Sequence, residues 1–330
     1  MRTVVVTGAS GALGQRVVRR LADRDDVRRV VAVDVVPLAE APAAVESHVV
    51  ELAEPQNGSA RSDELVPLLR EADGLVHLAW RVPGHNGAQA ARVAESNQRA
   101  LRRVLGAAEA ASTPAVVHLS SATVYGAWPD NKIPLTEDAA LRPNPGFRFA
   151  VGKAEAERLL AEWAEDHPGV RVAVLRPTVT VGSGHSENGA LYEALGGTRA
   201  PSSGEDPARP VQFLHVDDLA SAVVHAWEQG LAGVFNVAPD RGIGEDTARS
   251  LAGGVAKVPL PERLAHAVAI WSWDLSRRGV PRDALPYARW PWVVAPDKLA
   301  ATGWRPSYSS EAALVVTDPR PHWDDLPPTS

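Results

Sequence analysis

The residues whose types and spacing could do chemistry fall in three places. Gly8, Gly11 and Gly14 recur at three-residue steps after the apolar run Thr3-Val4-Val5-Val6-Thr7, with Ser10, Ala12 and Leu13 between them and Asp34 twenty positions on. Between a strand and a helix, the first glycine lets the chain turn, the second lets backbone approach a pyrophosphate, and the third allows close packing. The helix then offers unpaired N–H groups and about half a positive charge to the phosphates. A carboxylate at Asp34 accepts from an adenosine ribose hydroxyl. The second place is the hydroxyl-bearing stretch Ser120-Ser121-Ala122-Thr123-Val124-Tyr125-Gly126. The third is Lys153, which with Lys132, Lys257 and Lys298 makes up the lysines among 34 basic residues. Taken alone, Ser121 reads equally as a strand-end hydrogen-bonding residue and Lys153 as a solvated helix lysine.

These groups need elements to position them. Residues 15–21 resume with Val17, Val18 and Leu21 at helical spacing. Val30-Val31-Ala32-Val33 is a second buried strand ending at Asp34, and 47–52 a third, ending in Glu51-Leu52, where an acid could reach an adenine amino group. A helix is expected over 61–71, weakened by Pro67. Gly74 to Trp80 reads as the fourth strand, with small Ala79 leaving room at its end. A long helix over 93–111 carries Asn97, strand 115–119 runs into the serine stretch, helix 149–166 carries Lys153, and strand 170–175 ends in Arg176-Pro177. Strands alternating with helices at this spacing predict an α/β fold, a Rossmann-type doubly wound parallel sheet. A dinucleotide-binding domain is expected over 1–180, with 211–240 returning to it. Residues 181–210, rich in Gly, Ser and Pro, and 241–330 are expected to form a smaller C-terminal substrate-binding region. Trp271, Trp273, Trp290, Trp292, Trp304 and Trp323 crowd that end, either as core filler or as walls of a flat apolar pocket.

Composition narrows the classes. A hydrophobic content of 45% supplies a full core. A net charge of −6 argues against nucleic-acid and anionic-membrane partners. The absence of cysteine excludes disulfides, zinc thiolates and a cysteine nucleophile. No apolar run reaches membrane-spanning length and the first strand begins almost at residue 1, so a cytoplasmic protein is the expectation. His, Asp and Glu are too scattered for a metal cluster. A Ser-His-Asp hydrolase would need a nucleophile turn that is missing. His118, inside an apolar strand, reads as a satisfied core histidine, whereas His85 and His185 lie in loops that could border a pocket.

Thr7 to Gly14, His77-Leu78-Ala79, Asn97, Ser120 to Gly126, Arg176-Pro177, His215 to Ala220, Asp297-Lys298-Leu299 and Gly303 to Pro306 together resemble the extended short-chain dehydrogenase/reductase superfamily, the NAD-dependent epimerase/dehydratase group, over most of the chain. The resemblance implies cofactor contacts from Gly8, Ser10, Gly11, Ala12, Leu13, Gly14, Asp34, Glu51, Leu52, Leu78, Ala79, Trp80, Asn97, Ser120, Lys153, Arg176 and Pro177. It implies catalytic parts for Ser121, Lys153, Thr123 and Asn97. The family's reaction uses a Tyr-x-x-x-Lys pair, whose spacing of four puts both side chains on one helix face. The lysine holds the nicotinamide ribose and lowers the tyrosine pKa from about 10, and the serine polarises the carbonyl. Four residues before Lys153 stands Phe149, which has the shape of tyrosine without its proton. Tyr125 belongs to the serine segment and Tyr192 to the later loop. Ala122 and Thr123 stand where the dehydratase branch places an acidic pair, so dehydration is disfavoured too.

The expected function is therefore an NAD(P)H-dependent ketoreductase of a large aromatic, polyketide-like ketone. The proton would come from the substrate or water, with His85 and His185 as further candidates. Asp34 favours NAD(H); Arg16 and other arginines keep NADP(H) open. The alternatives are a non-catalytic dinucleotide-binding sensor or scaffold and a sugar-nucleotide epimerase or reductase. The partner is a small-molecule ketone, and a homodimer is compatible with the chain.

Overall fold

A computed structural model describes residues 1–39, 41–53, 64–83, 87–182, 209–239, 241–251 and 282–316. Its centre is a seven-stranded parallel sheet formed by β1 (Arg2–Thr7), β2 (Val27–Asp34), β3 (Val45–Val49), β4 (Gly74–His77), β5 (Ala115–Leu119), β6 (Arg171–Pro177) and β10 (Gly233–Val237). The strand order is β10-β6-β5-β4-β1-β2-β3. The order reverses between β1 and β4, which is where open α/β sheets bind ligands, and the glycine loop leaves β1 at that point.

The continuous apolar runs have a simple cause: both faces of the sheet are covered. Val4 and Val6 pack on one face with Val17, Val18 and Leu21 of α1 (Ala12–Ala22) and Leu219, Val223 and Trp227 of α5 (Val216–Glu228). Val5, pointing the other way, packs with Leu65 and Leu69 of α2 (Leu65–Leu69) and Val104 and Ala108 of α3 (Gly87–Ala110). The fourth helix on the way, α4 (Arg148–Asp166), joins α3 through Leu101, Leu105, Ala156 and Leu160. The helix expected over 61–71 is reduced to the five residues of α2, 61–63 lying outside the described residues. The strand expected over 47–52 is centred earlier, at Val45–Val49, leaving Glu51 and Leu52 beyond its end.

A second core gathers residues from distant stretches: Ala122, Val124 and Tyr125 with Phe213, Tyr287, Trp292, Val294 and Leu314. Around it lie the short strands β7 (Val179–Val181), β8 (Pro210–Val211), β9 (Phe213–His215) and β11 (Ile243–Gly244), with α6 (Glu245–Leu251), α7 (Leu285–Arg289), α8 (Asp297–Ala301) and α9 (Ser310–Val316). β7 pairs with β9 in parallel and β8 with β11 antiparallel. Among the described tryptophans of the C-terminal end, Trp292 and Trp304 are core: their indole N–H groups donate to Tyr287 O (3.2 Å) and Ser221 Oγ (3.0 Å). Trp271, Trp273 and Trp323 lie outside the described residues.

Candidate active site

The glycine loop is built by backbone contact. Gly8 has φ +74°, and a Cβ on it would stand 2.6 Å from the nitrogen of Ala79, so the loop and the end of β4 touch main chain to main chain. A Cβ on Gly14 would lie 2.0 Å from the Gly8 carbonyl oxygen. Gly14 thus packs the helix onto the loop rather than onto the sheet. Gly11 differs: the nearest atom to its Cβ position is 3.4 Å away, an ordinary contact, so the fold itself does not demand glycine there. Beyond its chain neighbours, no other described atom lies within 4 Å of that position. Gly11 is also the N-cap of α1 and makes no side-chain cap bond, which leaves Ala12, Leu13 and Gly14 to present their N–H groups outward. Asp34 holds the loop in place, accepting from Ser10 N (2.8 Å) and Val35 N (2.7 Å), while Ser10 Oγ donates to Val36 O (2.9 Å). The side chains of Leu13, Leu52 and Leu78 are buried in the core. Pro177, also buried, ends β6.

At the other end of the site, α4 carries a column. Phe149, Lys153 and Glu157 recur at four-residue steps, and all three are buried. The Lys153 ammonium donates to Leu119 O (2.7 Å) and sits 3.9 Å from the centre of the Trp80 ring and 5.9 Å from that of Phe149. Opposite the column, Ser121 caps the 3-10 turn Ala122–Tyr125. Its Oγ accepts from Thr123 N (3.2 Å) and from Thr123 Oγ1 (2.9 Å). With its lone pairs taken, the Ser121 hydroxyl is left as a donor, the role needed to polarise a carbonyl.

The hydrogen bonds give several of the expected site residues partners within the protein. The Ser120 hydroxyl donates to Glu157, and the buried Arg176 guanidinium donates to Glu157 (2.5 Å at Oε2), to Tyr125 Oη (2.7 Å) and to Glu137 O (3.3 Å). Tyr125 in turn donates to Asn236 Oδ1 (2.8 Å). Ser120 and Arg176 therefore belong to a buried ion-pair network centred on Glu157. Asn97 is a loop clamp, accepting from Arg81 N (2.9 Å) and donating to Arg81 O (2.7 Å). Its amide fixes the segment that leaves β4. Glu51, half exposed, accepts from Arg81 Nη2 (2.8 Å) and Ala53 N (3.1 Å).

Tyr287 enters the site although the sequence suggested no further tyrosine there. Its hydroxyl donates to Thr123 O (2.7 Å), and its ring packs on Phe147 (5.2 Å) and edge-on against Trp292 (5.2 Å). Burial pushes this phenol well above its ordinary pKa and raises Tyr125 to about 12, despite the Arg176 charge beside the latter. Neither phenol is a base near neutrality. His118 is also not the satisfied histidine expected. It stacks on His77 (5.4 Å), and both of its ring nitrogens are buried without a partner. His77 Nδ1 is paired with Thr7 Oγ1 (2.7 Å). Burial, assisted by the Lys153 charge, lowers His77 to about 3 and His118 well below its ordinary value, so both are neutral at pH 7. His85 and His185 lie outside the described residues.

The model of the NAD dependent epimerase/dehydratase family matches residues 4–238, the glycine loop, the serine segment and the α4 column included. The chain belongs to this family. An uncharacterized protein of Mycobacterium tuberculosis is 26% identical over 322 residues, 95% of this chain and 82% of that protein. A hybrid PKS-NRPS synthetase of Acremonium sp. is 26% identical over 301 residues, 84% of this chain but 7% of the synthetase. Among solved structures, the UDP-glucose 4-epimerase of Thermus thermophilus in complex with NAD superposes with a TM-score of 0.68 at 21% identity, over 96% of this chain and 97% of that one. At that identity the likeness speaks for the fold.

The residues present fit the dinucleotide that the family implies. The Gly8–Gly14 contact brings backbone close at the switch point, the open flank of Gly11 leaves room, and the uncapped α1 supplies donors. Among the described residues no group of His, Cys, Asp and Glu could hold a metal ion, and no helix is long and apolar enough to cross a membrane. Sequence reasoning missed Glu157, which is visible as the next i+4 step after Lys153, and Tyr287 and Asn236, for which no local signal exists.

Proposed function

We propose that this chain is an NADH-dependent ketoreductase of a large, flat, polyketide-like aromatic ketone. The observation that carries the reading is the buried α4 column, in which a phenyl ring, Phe149, precedes Lys153 where the family's reaction calls for a phenol. Tyr125 and Tyr287, the phenols that meet the serine segment, spend their hydroxyls on Asn236 and Thr123. An alcohol substrate then finds no phenolate to take its proton, and the oxidation that opens an epimerisation is slow. Ketone reduction asks less of the protein. A bound nicotinamide cofactor would supply the hydride. Ser121 donates to the carbonyl oxygen, Thr123 holds Ser121 in the donor state, and Lys153 orients the ribose. The proton reaches the new alkoxide from a phenol neighbouring the ketone on the substrate, which regains it from water. Loss of general acid catalysis costs about 10²- to 10⁴-fold, which a substrate-borne proton offsets.

Two further observations support the finer parts. Asp34 and the exposed Val35 and Val36 after it offer a 2′-phosphate a negative charge and no cation at that bend, which favours NADH over NADPH. The likeness to part of a hybrid PKS-NRPS synthetase supports a polyketide-like substrate. The test is NADH and NADPH consumption with a panel of ortho-hydroxyaryl ketones. The reading expects NADH to be oxidised faster than NADPH, and ketones lacking the neighbouring hydroxyl to react at least tenfold more slowly. Tight NADH binding with no oxidation of either cofactor would make the chain a dinucleotide-binding protein instead.

A further inference from the structure

We propose that Trp80 is a positioning residue for the cofactor, acting through Lys153: its indole face holds the buried ammonium in the orientation that meets the nicotinamide ribose. The inference rests on the reading of Lys153 as the ribose-holding lysine and adds the device that aims it.

The seat of the indole is built from both sides. Trp80 follows Leu78 and Ala79 out of β4, and the main chain of the next residue, Arg81, is clamped at both N–H and C=O by Asn97. The ring packs with Leu101, Leu105, Ala156 and Leu160 between α3 and α4. On α4 it meets Gly152, where an added Cβ would stand 3.3 Å from Trp80 Cζ2, tighter than an ordinary contact. Glycine inside a helix is unfavourable by about 0.5–1 kcal/mol relative to alanine, and here its missing side chain makes the flat floor on which the indole lies. Lys153, the next residue, then reaches the ring centre at 3.9 Å, well inside the ~6 Å range of a cation–π contact.

The surroundings explain why this face is needed. Lys153 is 3% exposed, and a buried ammonium demands compensation. Leu119 O takes one of its protons. His77 and His118, neutral imidazoles on β4 and β5, interact electrostatically with it but supply no negative charge. Phe149 offers a second, more distant ring at 5.9 Å where a phenol oxygen would otherwise stand. The indole is thus the near aromatic face of a cation that in this chain lacks the phenol. Leu119 O and the Trp80 ring bear on the ammonium from two directions and so fix where it lies.

A double-mutant cycle on NADH binding tests this without any turnover. Dissociation constants are measured by calorimetry for the wild type, Trp80→Leu, Lys153→Met and the double variant, each checked for folding by thermal melt. The expected result is about tenfold weaker binding for Trp80→Leu, similar or greater loss for Lys153→Met, and no further loss when Trp80→Leu is added to Lys153→Met. Losses that multiply would overturn the inference, because Trp80 would then act by packing alone. Unchanged affinity in Lys153→Met would overturn the ribose-holding reading of Lys153 and this inference with it. If Trp80→Leu does not fold, the cycle is run with Trp80→Phe, whose smaller ring keeps part of the π face. A weaker loss that again vanishes in the Lys153→Met background supports the inference, and one that persists there overturns it. Ketone reduction plays no part in these readouts, so failure of the ketoreductase assignment leaves them intact.

Discussion

The two ends of the site are held by different means. At the glycine loop, main chain meets main chain: Gly8 against Ala79, Gly14 against the Gly8 carbonyl. At the serine and lysine end, side chains drawn from five distant stretches do the work. Glu157 gathers Ser120 and Arg176, Tyr125 reaches Asn236, and Tyr287 reaches Thr123. At Gly8 and Gly14 the first end tolerates no added atom, because backbone cannot step aside. The second is adjustable, because a side chain can be exchanged while its neighbours keep their places. That contrast accounts for a chain that keeps the dinucleotide loop of its family while Phe149 stands before Lys153.

The contrast breaks if substitutions at the rigid end are mild. Gly14→Ala places a methyl group 2.0 Å from a carbonyl oxygen, so the expectation is complete loss of calorimetric NADH binding. A dissociation constant within tenfold of the wild type would mean that the loop is not set by backbone contact. The next largest effect belongs to the other end. Glu157→Ala strands the buried Arg176 charge, and removal of one partner of such a pair costs about 3–5 kcal/mol, read as a lower urea midpoint. The network lies under the site and not in it, so NADH affinity of the folded fraction should change less than threefold.

A smaller effect of opposite sign is expected at His118. Its ring nitrogens are buried without partners, and such groups cost about 1–3 kcal/mol, so His118→Phe should raise stability by about 1 kcal/mol at pH 7. The pH dependence follows from the direction of the shifts. Both histidines have folded-state pKa values below their unfolded value of about 6.5, His77 at about 3. Their neutral state is fully compatible with folding above pH 6.5, and stability is lost as pH falls toward 3, because the unfolded chain takes up protons first. Each such histidine contributes a slope of about 1.4 kcal/mol per pH unit well below 6.5. Denaturant melts between pH 6 and 4 should therefore show a shallower decline for His118→Phe than for the wild type. Equal slopes would mean that His118 already carries its proton or has a partner.

The same contrast explains what is legible in the sequence. The glycine loop, Asp34 and the alternation of strands and helices are readable because their causes are local: sterics at Gly8, an apolar run covered on both faces, a helix that begins at Ala12. Lys153 and Ser121 stand out by their place in motifs. The partners that decide what these groups do come from far along the chain, as with Tyr287 and Thr123, 164 positions apart, and Tyr125 and Asn236, 111 apart. Arg176 shows the consequence most clearly. Its family motif says nothing of Glu157, one helix earlier, which accepts from its Nε and Nη2. His118 escapes a sequence reading for the related reason that an apolar strand says nothing about what faces an embedded imidazole. The stacked His77 on β4 offers it a ring contact and no hydrogen bond.

The central claim is that the Phe149 site reduces ketones with a proton that is not the enzyme's own phenol. Its most direct measurement compares wild type and Phe149→Tyr in both directions, NADH oxidation with an ortho-hydroxyaryl ketone and NAD reduction with the corresponding alcohol. The account predicts ketone reduction by the wild type, changed less than tenfold in Phe149→Tyr, and alcohol oxidation that rises about 10²- to 10⁴-fold when the phenol is restored. A wild type that leaves the ketone untouched, with reduction appearing only in Phe149→Tyr, would contradict it.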